Sequence, residues 1–190
     1  APDGVDYDWF GAAVGAGAGT IIVGAPRHDD QRGEAYVFER RAGRWVFTQF
    51  LAPPFLEEDD GFGGTVVCSG ERTVIAATND SDDAPGAGTA YVFLHGQAGW
   101  SLFDEIQPNT PAQAEHFGRA AAIWSDHAII GAPSFDQHSG RSIVFRGLTP
   151  VDCNGNGVLD GCDITVGDDL DCNGNGVPDA CDIADGTSVD

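Results

Sequence analysis

A unit that recurs three times constrains the fold of this chain more than any other feature of its sequence. Each unit opens with a Phe-Gly pair, and the three pairs begin at Phe10, Phe62 and Phe117. Each unit later contains a glycine followed by a short apolar strand that ends in phenylalanine: Gly33 to Phe38, Gly88 to Phe93 and Gly140 to Phe145. A period of about 50 residues is typical of solenoids and propellers, in which one supersecondary unit is stacked on the next.

The composition of each unit favours strands. Short β-branched or aromatic runs alternate with Gly, Pro, Asp and Asn, and no stretch has helical periodicity. In the first unit we expect strands near 12–15, 20–24, 34–40 and 44–51. A four-stranded blade cannot bury both of its faces alone, so it must stack on neighbours. We therefore predict an all-β fold with three four-stranded propeller blades in a region spanning 1–148, the blades lying near 9–51, 61–106 and 116–147.

Three motifs recur in the same order: the Phe-Gly pair, a Gly-Ala-Pro turn and a Tyr-Val-Phe strand. Together they resemble the FG-GAP repeats of bacterial secreted proteins and of the integrin α propeller, over about residues 9–145. The second unit departs from the pattern, with Ala76-Ala77-Thr78 at the turn. Many units of this family carry an acidic calcium loop between their first two strands. The matching turns here, 15–19, 69–72 and 125–127, lack a carboxylate cluster, so we expect no calcium loop in these blades.

Three blades are fewer than the four to eight that close a propeller ring. The first residues of the chain resemble the linker Leu51-Ala52-Pro53, and the tail repeat is still in progress near Asp190. We therefore expect the sequence to be a fragment of a longer protein.

A second, shorter repeat occupies the tail at 149–190. The segment 152–163 returns almost residue for residue as 171–182. Oxygen-bearing side chains occupy loop positions one, three, five, nine and twelve, and glycine occupies position six, as in a twelve-residue loop that wraps Ca²⁺. The predicted ligands are Asp152, Asn154, Asn156, Val158 (through its carbonyl), Asp160, Asp163, Asp171, Asn173, Asn175, Val177 (through its carbonyl), Asp179 and Asp182. Each loop has only three carboxylates, so we expect weak EF-hand-like sites, on the order of 10⁻⁴ to 10⁻³ M.

The tail resembles two families. One is the thrombospondin type 3 repeat, which has similar Asp-rich calcium loops, and the other is dockerin, which docks enzymes onto cohesins. A dockerin needs a helix after each loop, whereas only Ile164 to Leu170 separates the loops here, and that stretch is too short for a stable helix. The thrombospondin-like interpretation is therefore favoured. The simplest disulfide pairing joins Cys153 to Cys162 and Cys172 to Cys181, although four cysteines allow three pairings.

Charge and cysteine content exclude several partners and favour one compartment. The net charge is −21, which would repel nucleic acid and an anionic membrane surface. No apolar run reaches the roughly 18 residues of a membrane span. Four of the five cysteines lie in the tail, in an arrangement typical of a disulfide framework. We therefore expect an extracellular protein, secreted or on the cell surface, without nucleic-acid partners or membrane insertion.

Three polar groups fall between the second and third strands of their blades and so share one rim: 28–30, 79–83, and Asp136 with His138. Solvated loops explain them most simply, and a polar ligand or weak cation site on that rim is the alternative. Ser125, Asp126 and His127 are adjacent in sequence, which is not how a catalytic triad assembles. We expect no catalytic residue in the chain. Cys68 and the four tryptophans, Trp9, Trp45, Trp100 and Trp124, are interpreted as packing residues.

Three functions are compatible with these features. The first is a non-catalytic binding or adhesion module, with a calcium-stabilised stalk and an extracellular protein or glycan as ligand. The second is a dockerin-like attachment region of a secreted polysaccharide-degrading enzyme. The third is a structural spacer. The first is favoured because propellers present loops along a shared rim.

Overall fold

The computed structural model describes residues 1–17 and 19–148. The predicted calcium ligands and the four tail cysteines lie outside the described residues. One compact unit, Ala1–Arg146, contains every strand that is described. None of the helices in this part of the chain is both long and apolar enough to cross a membrane.

The described strands form three antiparallel sheets, each a meander in chain order. The first sheet is β1 Ala13–Gly17, β2 Thr20–Ala25, β3 Glu34–Arg41 and β4 Arg44–Leu51. The second is β5 Phe62–Ser69, β6 Arg72–Ala77, β7 Thr89–Gly96 and β8 Gly99–Ile106. The third is β9 Ala120–Trp124, β10 His127–Ala132 and β11 Arg141–Phe145. The predicted all-β fold with three blade-like sheets is confirmed, although the third sheet has three strands within the described residues and not the expected four.

Two four-residue turns, α1 (His28–Gln31) and α2 (Phe135–His138), connect the second and third strands of the first and third sheets. They are not ordinary helices. Asp29 and Asp30 have φ of 48° and 54°, and Asp136 and Gln137 have φ of 44° and 53°. Left-handed backbone costs most residues roughly 1–2 kcal/mol, and Asp and Asn tolerate it best because their short side chains bond locally. The left-handed backbone of these two loops must therefore be stabilised by contacts with residues outside the loops.

The phenylalanine of each Phe-Gly pair packs edge-on against aromatic rings of the third strand of its own sheet. Phe10 lies 5.3 Å from Tyr36 between ring centroids, and Phe62 lies 5.7 Å from Tyr91. In the third sheet, where an isoleucine replaces the tyrosine, Phe117 lies 5.8 Å from Phe145. Edge-to-face aromatic pairs contribute about 0.5–1.5 kcal/mol beyond their buried area. The Phe-Gly and Tyr-Val-Phe motifs recur together because they are in contact.

Side chains alternate along each strand, so every sheet has two apolar faces. One face of the first sheet, with Ile22, Val37 and Leu51, packs on the face of the second sheet that carries Phe62 and Tyr91. Cys68 packs against this core, which confirms its interpretation as a packing residue, and burial raises the pKa of its thiol. The main described core therefore lies between sheets and not within one.

The packing interpretation is correct for one tryptophan and wrong for three. Trp100 is buried in the core between the first and second sheets. Trp9, Trp45 and Trp124 are exposed. Trp9 lies just before β1, while Trp45 and Trp124 lie on the two sheet faces that no other described sheet covers. Sequence spacing places a ring on a strand but does not show whether a neighbouring sheet covers it.

Backbone hydrogen bonds join each sheet to the next at the loop after the second strand. The amides of Asp59, Gly61 and Phe62 donate to the carbonyls of Asp30, Gln31 and Arg32, at 3.3, 2.8 and 2.9 Å. The same ladder joins the second and third sheets, where 114, 116 and 117 donate to 85, 86 and 87 at 2.7, 3.2 and 2.7 Å. The left-handed residues of α1 belong to the loop that supplies these carbonyls. We call these bonds the inter-sheet ladder.

Glycines allow the sheets to approach at the ladder. A Cβ atom added to Gly24, in β2, would lie 1.9 Å from the carbonyl oxygen of Gly63 in the next sheet. The equivalent residue of the third sheet is Gly131, where a Cβ would meet its nearest atom at 3.6 Å, an ordinary contact. Glycine is therefore required at Gly24 by the close approach of the second sheet, whereas the second sheet carries Ala76 at the equivalent position, where it faces the third sheet.

We predict that Gly24→Ala destabilises the protein by about 1–3 kcal/mol, because the added methyl overpacks the junction between the first two sheets. Gly131→Ala is the matched control and should change the free energy of unfolding much less. Urea denaturation at low protein concentration measures both. Equal losses for the two variants would contradict the proposed role of the close approach.

Candidate binding site at the loop rim

The loops between the second and third strands meet at one rim of the stack. The structure places 28–30 in α1, 79–83 between β6 and β7, and Asp136 and His138 in α2. The inter-sheet ladder runs through the same loops, which holds each one against the start of the next sheet. The predicted polar groups therefore share a rim, but each belongs to a different sheet and they do not form one cluster.

A cavity of about 390 Å³ opens on this rim where the first strands of the three sheets begin. All three sheets contribute to it. Its walls are Trp9, Ala12, Pro26, Arg27, Gln31, Asp59, Gly61, Gly64, Thr78, Asn79 and Arg119. We call it the rim pocket, and its volume falls within the roughly 300–1,000 Å³ of small-molecule sites.

The rim pocket combines an aromatic ring, two guanidinium groups and two amides. Trp9 is 54% exposed, and the guanidinium carbon of Arg27 lies 3.6 Å from its ring centroid, a cation–π contact. Arg119 enters from the segment before β9. Within residues 1–17 and 19–148, neither Arg27 nor Arg119 forms a salt bridge. Two unneutralised cations on a chain of net charge −21 make this pocket electrostatically distinct.

Two amide side chains brace the walls of the pocket. The Gln31 amide donates to an Asp59 carboxylate oxygen at 2.5 Å, and the Asn79 amide donates to the Asp59 carbonyl at 3.3 Å. Sequence reasoning missed this pocket, since its residues come from three repeats and no single repeat contains the set. One feature of the sequence could have indicated the pocket. Trp9 and Arg119 are large side chains that directly flank two of the Phe-Gly pairs.

Beside the pocket, each repeat places a buried carboxylate two residues before its Phe-Gly phenylalanine: Asp8, Asp60 or Glu115. Each one accepts a hydrogen bond from the backbone amide three residues earlier, at 2.7, 2.6 and 2.8 Å. The carboxylate thus caps the turn that leads into the sheet. The three repeats differ in what faces this carboxylate.

In the first sheet the partner is His28, whose Nδ1 lies 3.2 Å from Asp8. Burial raises the pKa of Asp8, but the Val5 amide and His28 outweigh it and leave the pKa below its ordinary value. Burial lowers the pKa of His28, but the hydrogen bond to Asp8 and the charge of Glu34 outweigh it and leave the pKa raised. Protonation of His28 therefore stabilises this pair.

The other side of His28 faces possible metal ligands. Ligand atoms of Asp3, His28 and Glu34 lie within 4.8 Å of one another, and a Glu34 carboxylate oxygen is buried without a hydrogen-bond partner. Asp8 holds the opposite ring nitrogen, as a second carboxylate does at many metal-bound histidines. The imidazole nitrogen and two carboxylate oxygens could hold a divalent cation here. Without a cation, the protonated imidazole of His28 can neutralise the carboxylates by itself.

In the second sheet, Asp80 takes the place of His28. Both Asp60 and Asp80 are buried, and Asp80 accepts a hydrogen bond from the Tyr91 hydroxyl at 3.1 Å. Burial, followed by the charges of Asp80 and Asp82, raises the pKa of Asp60 to about 6, against the lowering effect of the Glu57 amide. Two buried acids therefore face each other here, and protonation relieves their repulsion.

In the third sheet the carboxylate is paired. Arg141 donates through Nε and Nη2 to the two oxygens of buried Glu115, both at 2.8 Å. Its guanidinium also lies 4.1 Å from the ring centroid of Phe135, the residue at the position of His28. This bidentate geometry is the strongest of the three arrangements. The carboxylate-capped turn before the Phe-Gly pair is thus the same in all three sheets, whereas the residue that faces the carboxylate differs.

The sequence-predicted metal ligands at 152–182 lie outside the described residues and stay a prediction. Of the adjacent Ser125, Asp126 and His127, the first two form the turn between β9 and β10, and His127 begins β10, where it contacts Asp126. Ser125 has a φ of 54°, and Arg72 donates to its carbonyl at 3.4 Å. This turn lies at the ends of β9 and β10 opposite to the strand ends at the rim pocket.

Two of the three repeats match a known protein family. The family described as FG-GAP repeat matches residues 1–38 and 45–93, which supports the FG-GAP resemblance over the first sheet and over most of the second, up to β7. The crystal structure of Sqt1 from Saccharomyces cerevisiae superposes with a TM-score of 0.45 at 12% identity. That superposition covers 74% of this chain, which spans 36% of the Sqt1 chain. No curated protein matches the sequence.

We predict that Asp60 makes the protein less stable as pH rises from about 4 to about 6. Its folded-state pKa, about 6, exceeds the unfolded value, so folding binds a proton, and the stabilisation is full at low pH and lost as Asp60 ionises. In Asp60→Asn, which keeps the bond from the Glu57 amide, this part of the pH dependence should vanish. Urea denaturation across this pH range measures it, with Asp6→Asn, at an exposed site, as the control. An unchanged profile in Asp60→Asn would contradict the assignment.

Proposed function

We propose that this chain, whose residues 1–38 and 45–93 match FG-GAP repeats, is a non-catalytic binding module of a secreted or cell-surface protein, and that the rim pocket holds its ligand. The observation that carries the proposal is the convergence of Trp9 and Arg27 from the first sheet and Arg119 from the third on one concave site, whose remaining wall comes from the second sheet. FG-GAP repeats support a binding role of this kind. The proposed ligand is a glycan.

The chemistry of the pocket supports a glycan. An exposed indole ring offers a flat apolar surface for the C–H face of a sugar, and the Gln31 and Asn79 amides offer donors and acceptors for hydroxyl groups. Arg27 and Arg119 favour a sugar that carries a carboxylate, since guanidinium binds carboxylate through two parallel hydrogen bonds. An acidic glycan would otherwise be repelled by a chain of charge −21. The pocket therefore supplies both attraction and selectivity.

The tail completes the proposed module. Its paired twelve-residue loops would bind Ca²⁺ through the ligands predicted from Asp152 to Asp182, with ion binding and folding as one event. Without the ion, three carboxylates in each loop would repel one another. The calcium-loaded, disulfide-bridged tail would then act as a stalk that holds the sheets away from a surface.

We expect the full chain to bind acidic glycans on a glycan array, and Trp9→Ala and Arg119→Ala to weaken the best binder at least about tenfold in calorimetric titration. Trp45→Ala is the matched control, since Trp45 is also exposed but lies outside the rim pocket. It should bind as the wild type does. A chain that binds no glycan on the array, or equal losses for Trp9→Ala and Trp45→Ala, would refute the proposed site.

We also predict that Ca²⁺ protects the tail from proteolysis and that a chelator removes this protection. Replacing Asp152 and Asp171 together with alanine should abolish calcium-dependent protection, because each is the first ligand of its loop. Asp185→Ala, outside both loops, is the control. Mass spectrometry of the fragments provides the measurement. The same cleavage pattern in chelator and in millimolar Ca²⁺ would show that the loops do not bind calcium.

A further inference from the structure

The buried carboxylate before each Phe-Gly pair needs a counter-charge or a proton, because an unpaired charge away from water is costly. In the third sheet Arg141 supplies the counter-charge. Its Nη2 atom donates to the Thr110 carbonyl at 2.9 Å as well as to Glu115 at 2.8 Å. The guanidinium therefore joins the turn before the Phe-Gly pair to β11, the third strand of that sheet.

The first sheet has carboxylates at the places where the third sheet has this arginine and its carbonyl acceptor. Glu34 stands at the repeat position of Arg141, and Asp3 stands at the position of Thr110. Together with buried Asp8, they surround a single histidine. Three ionised acids exceed one protonated imidazole by two charges. A divalent cation would supply the missing charge, as the guanidinium does in the third sheet.

The ligand atoms of the first sheet converge on one point. Nε2 of His28 lies 3.7 Å from the Oε2 atom of Glu34, and ligand atoms of Asp3 lie within 4.8 Å of both. Two ligands of one tetrahedral zinc ion, each about 2.0–2.2 Å from it, are roughly 3–4 Å apart. The same Oε2 atom is buried and has no hydrogen-bond partner among the described residues. An ion at this point would satisfy it after small side-chain movements.

Neighbouring side chains hold two of these ligands in place. Asp8 lies 3.2 Å from Nδ1 of His28, which leaves Nε2 for an ion. The Tyr36 hydroxyl donates to an Asp3 carboxylate oxygen at 3.0 Å. Metal-bound histidines typically donate their other N–H to a carboxylate, and ligating carboxylates accept hydrogen bonds in turn. The surroundings of the cluster therefore match those of a metal site.

An ion can reach the cluster from solvent. His28 and Glu34 line a cavity of about 510 Å³ that opens at the surface. Water from this cavity can complete the coordination, since three protein ligands and one water make a four-coordinate zinc site. None of Asp3, His28 and Glu34 lines the rim pocket, so the cluster is independent of the proposed glycan ligand.

We infer that Asp3, His28 and Glu34 bind one Zn²⁺ ion, with water at the fourth position and Asp8 as the residue that orients the imidazole. The imidazole nitrogen favours Zn²⁺ over Ca²⁺ and Mg²⁺, which prefer oxygen ligands alone. The ion joins the turn before the first Phe-Gly pair to β3. The first sheet thus uses a metal ion where the third sheet uses Arg141.

Zn²⁺ titration calorimetry of the full chain tests the inference, with the disulfides formed and with millimolar Ca²⁺ present to occupy sites that prefer hard cations. We expect the wild type to bind one more equivalent of Zn²⁺ than His28→Gln does. Glu34→Gln, which keeps the size of the side chain and removes its charge, should weaken this site at least about tenfold.

Two variants serve as matched controls and should bind Zn²⁺ as the wild type does. Asp29→Asn removes an exposed acid that lines the same cavity but is not part of the cluster. His127→Gln removes a histidine that pairs with Asp126 at a different turn. Circular dichroism establishes that all the variants are folded.

Nitrogen NMR of the histidine rings tests the same site in the wild type, without relying on any substitution. The His28 ring is identified through its contact with the Tyr36 ring, at 6.3 Å between centroids. One equivalent of Zn²⁺ should shift its Nε2 resonance.

Three results would overturn the inference. The first is a His28 Nε2 resonance that Zn²⁺ does not shift. The second is the same Zn²⁺ stoichiometry and affinity in the wild type, His28→Gln and Glu34→Gln. The third is a loss of binding in Asp29→Asn or His127→Gln as large as that in Glu34→Gln, which would show that Zn²⁺ binds the acidic surface without a defined site.

Discussion

The stack depends on the contact between the loop after the second strand of one sheet and the Phe-Gly segment of the next. Three backbone hydrogen bonds form there at each junction, and no side chain can replace them. The contact explains why the loop contains left-handed residues and why glycine stands at Gly24 and Gly63, where a Cβ would overlap the neighbouring backbone. Backbone groups buried between sheets must be paired, so the ladder and the apolar core form together or not at all.

Because backbone contacts hold the sheets together, side chains at equivalent positions can differ from one repeat to the next. The buried carboxylate before each Phe-Gly pair faces histidine, aspartate or arginine in the three sheets, and the turn it caps is the same in each. The rim pocket follows from the same freedom. Trp9 and Arg119 flank Phe-Gly pairs, where the fold depends on backbone contacts. Their side chains are therefore available for binding.

The rim pocket and the inter-sheet ladder meet at Trp9. Its ring lines the pocket, and its amide occupies the repeat position of the ladder donor Gly61. The same short segment before β1 thus combines the shared backbone geometry of the repeat with a side chain that is available for binding.

The repeat period, the strand positions of the first sheet to within about two residues, and the shared rim were all determined by local sequence, since strand periodicity and turn residues act over short range. The sequence also indicated the FG-GAP resemblance. Tertiary structure alone decided the exposure of Trp9, Trp45 and Trp124, the three different partners of the buried carboxylates, and the rim pocket. Each of these depends on residues from different repeats, brought together by stacking, and a pattern within one repeat contains no information about which neighbour covers it.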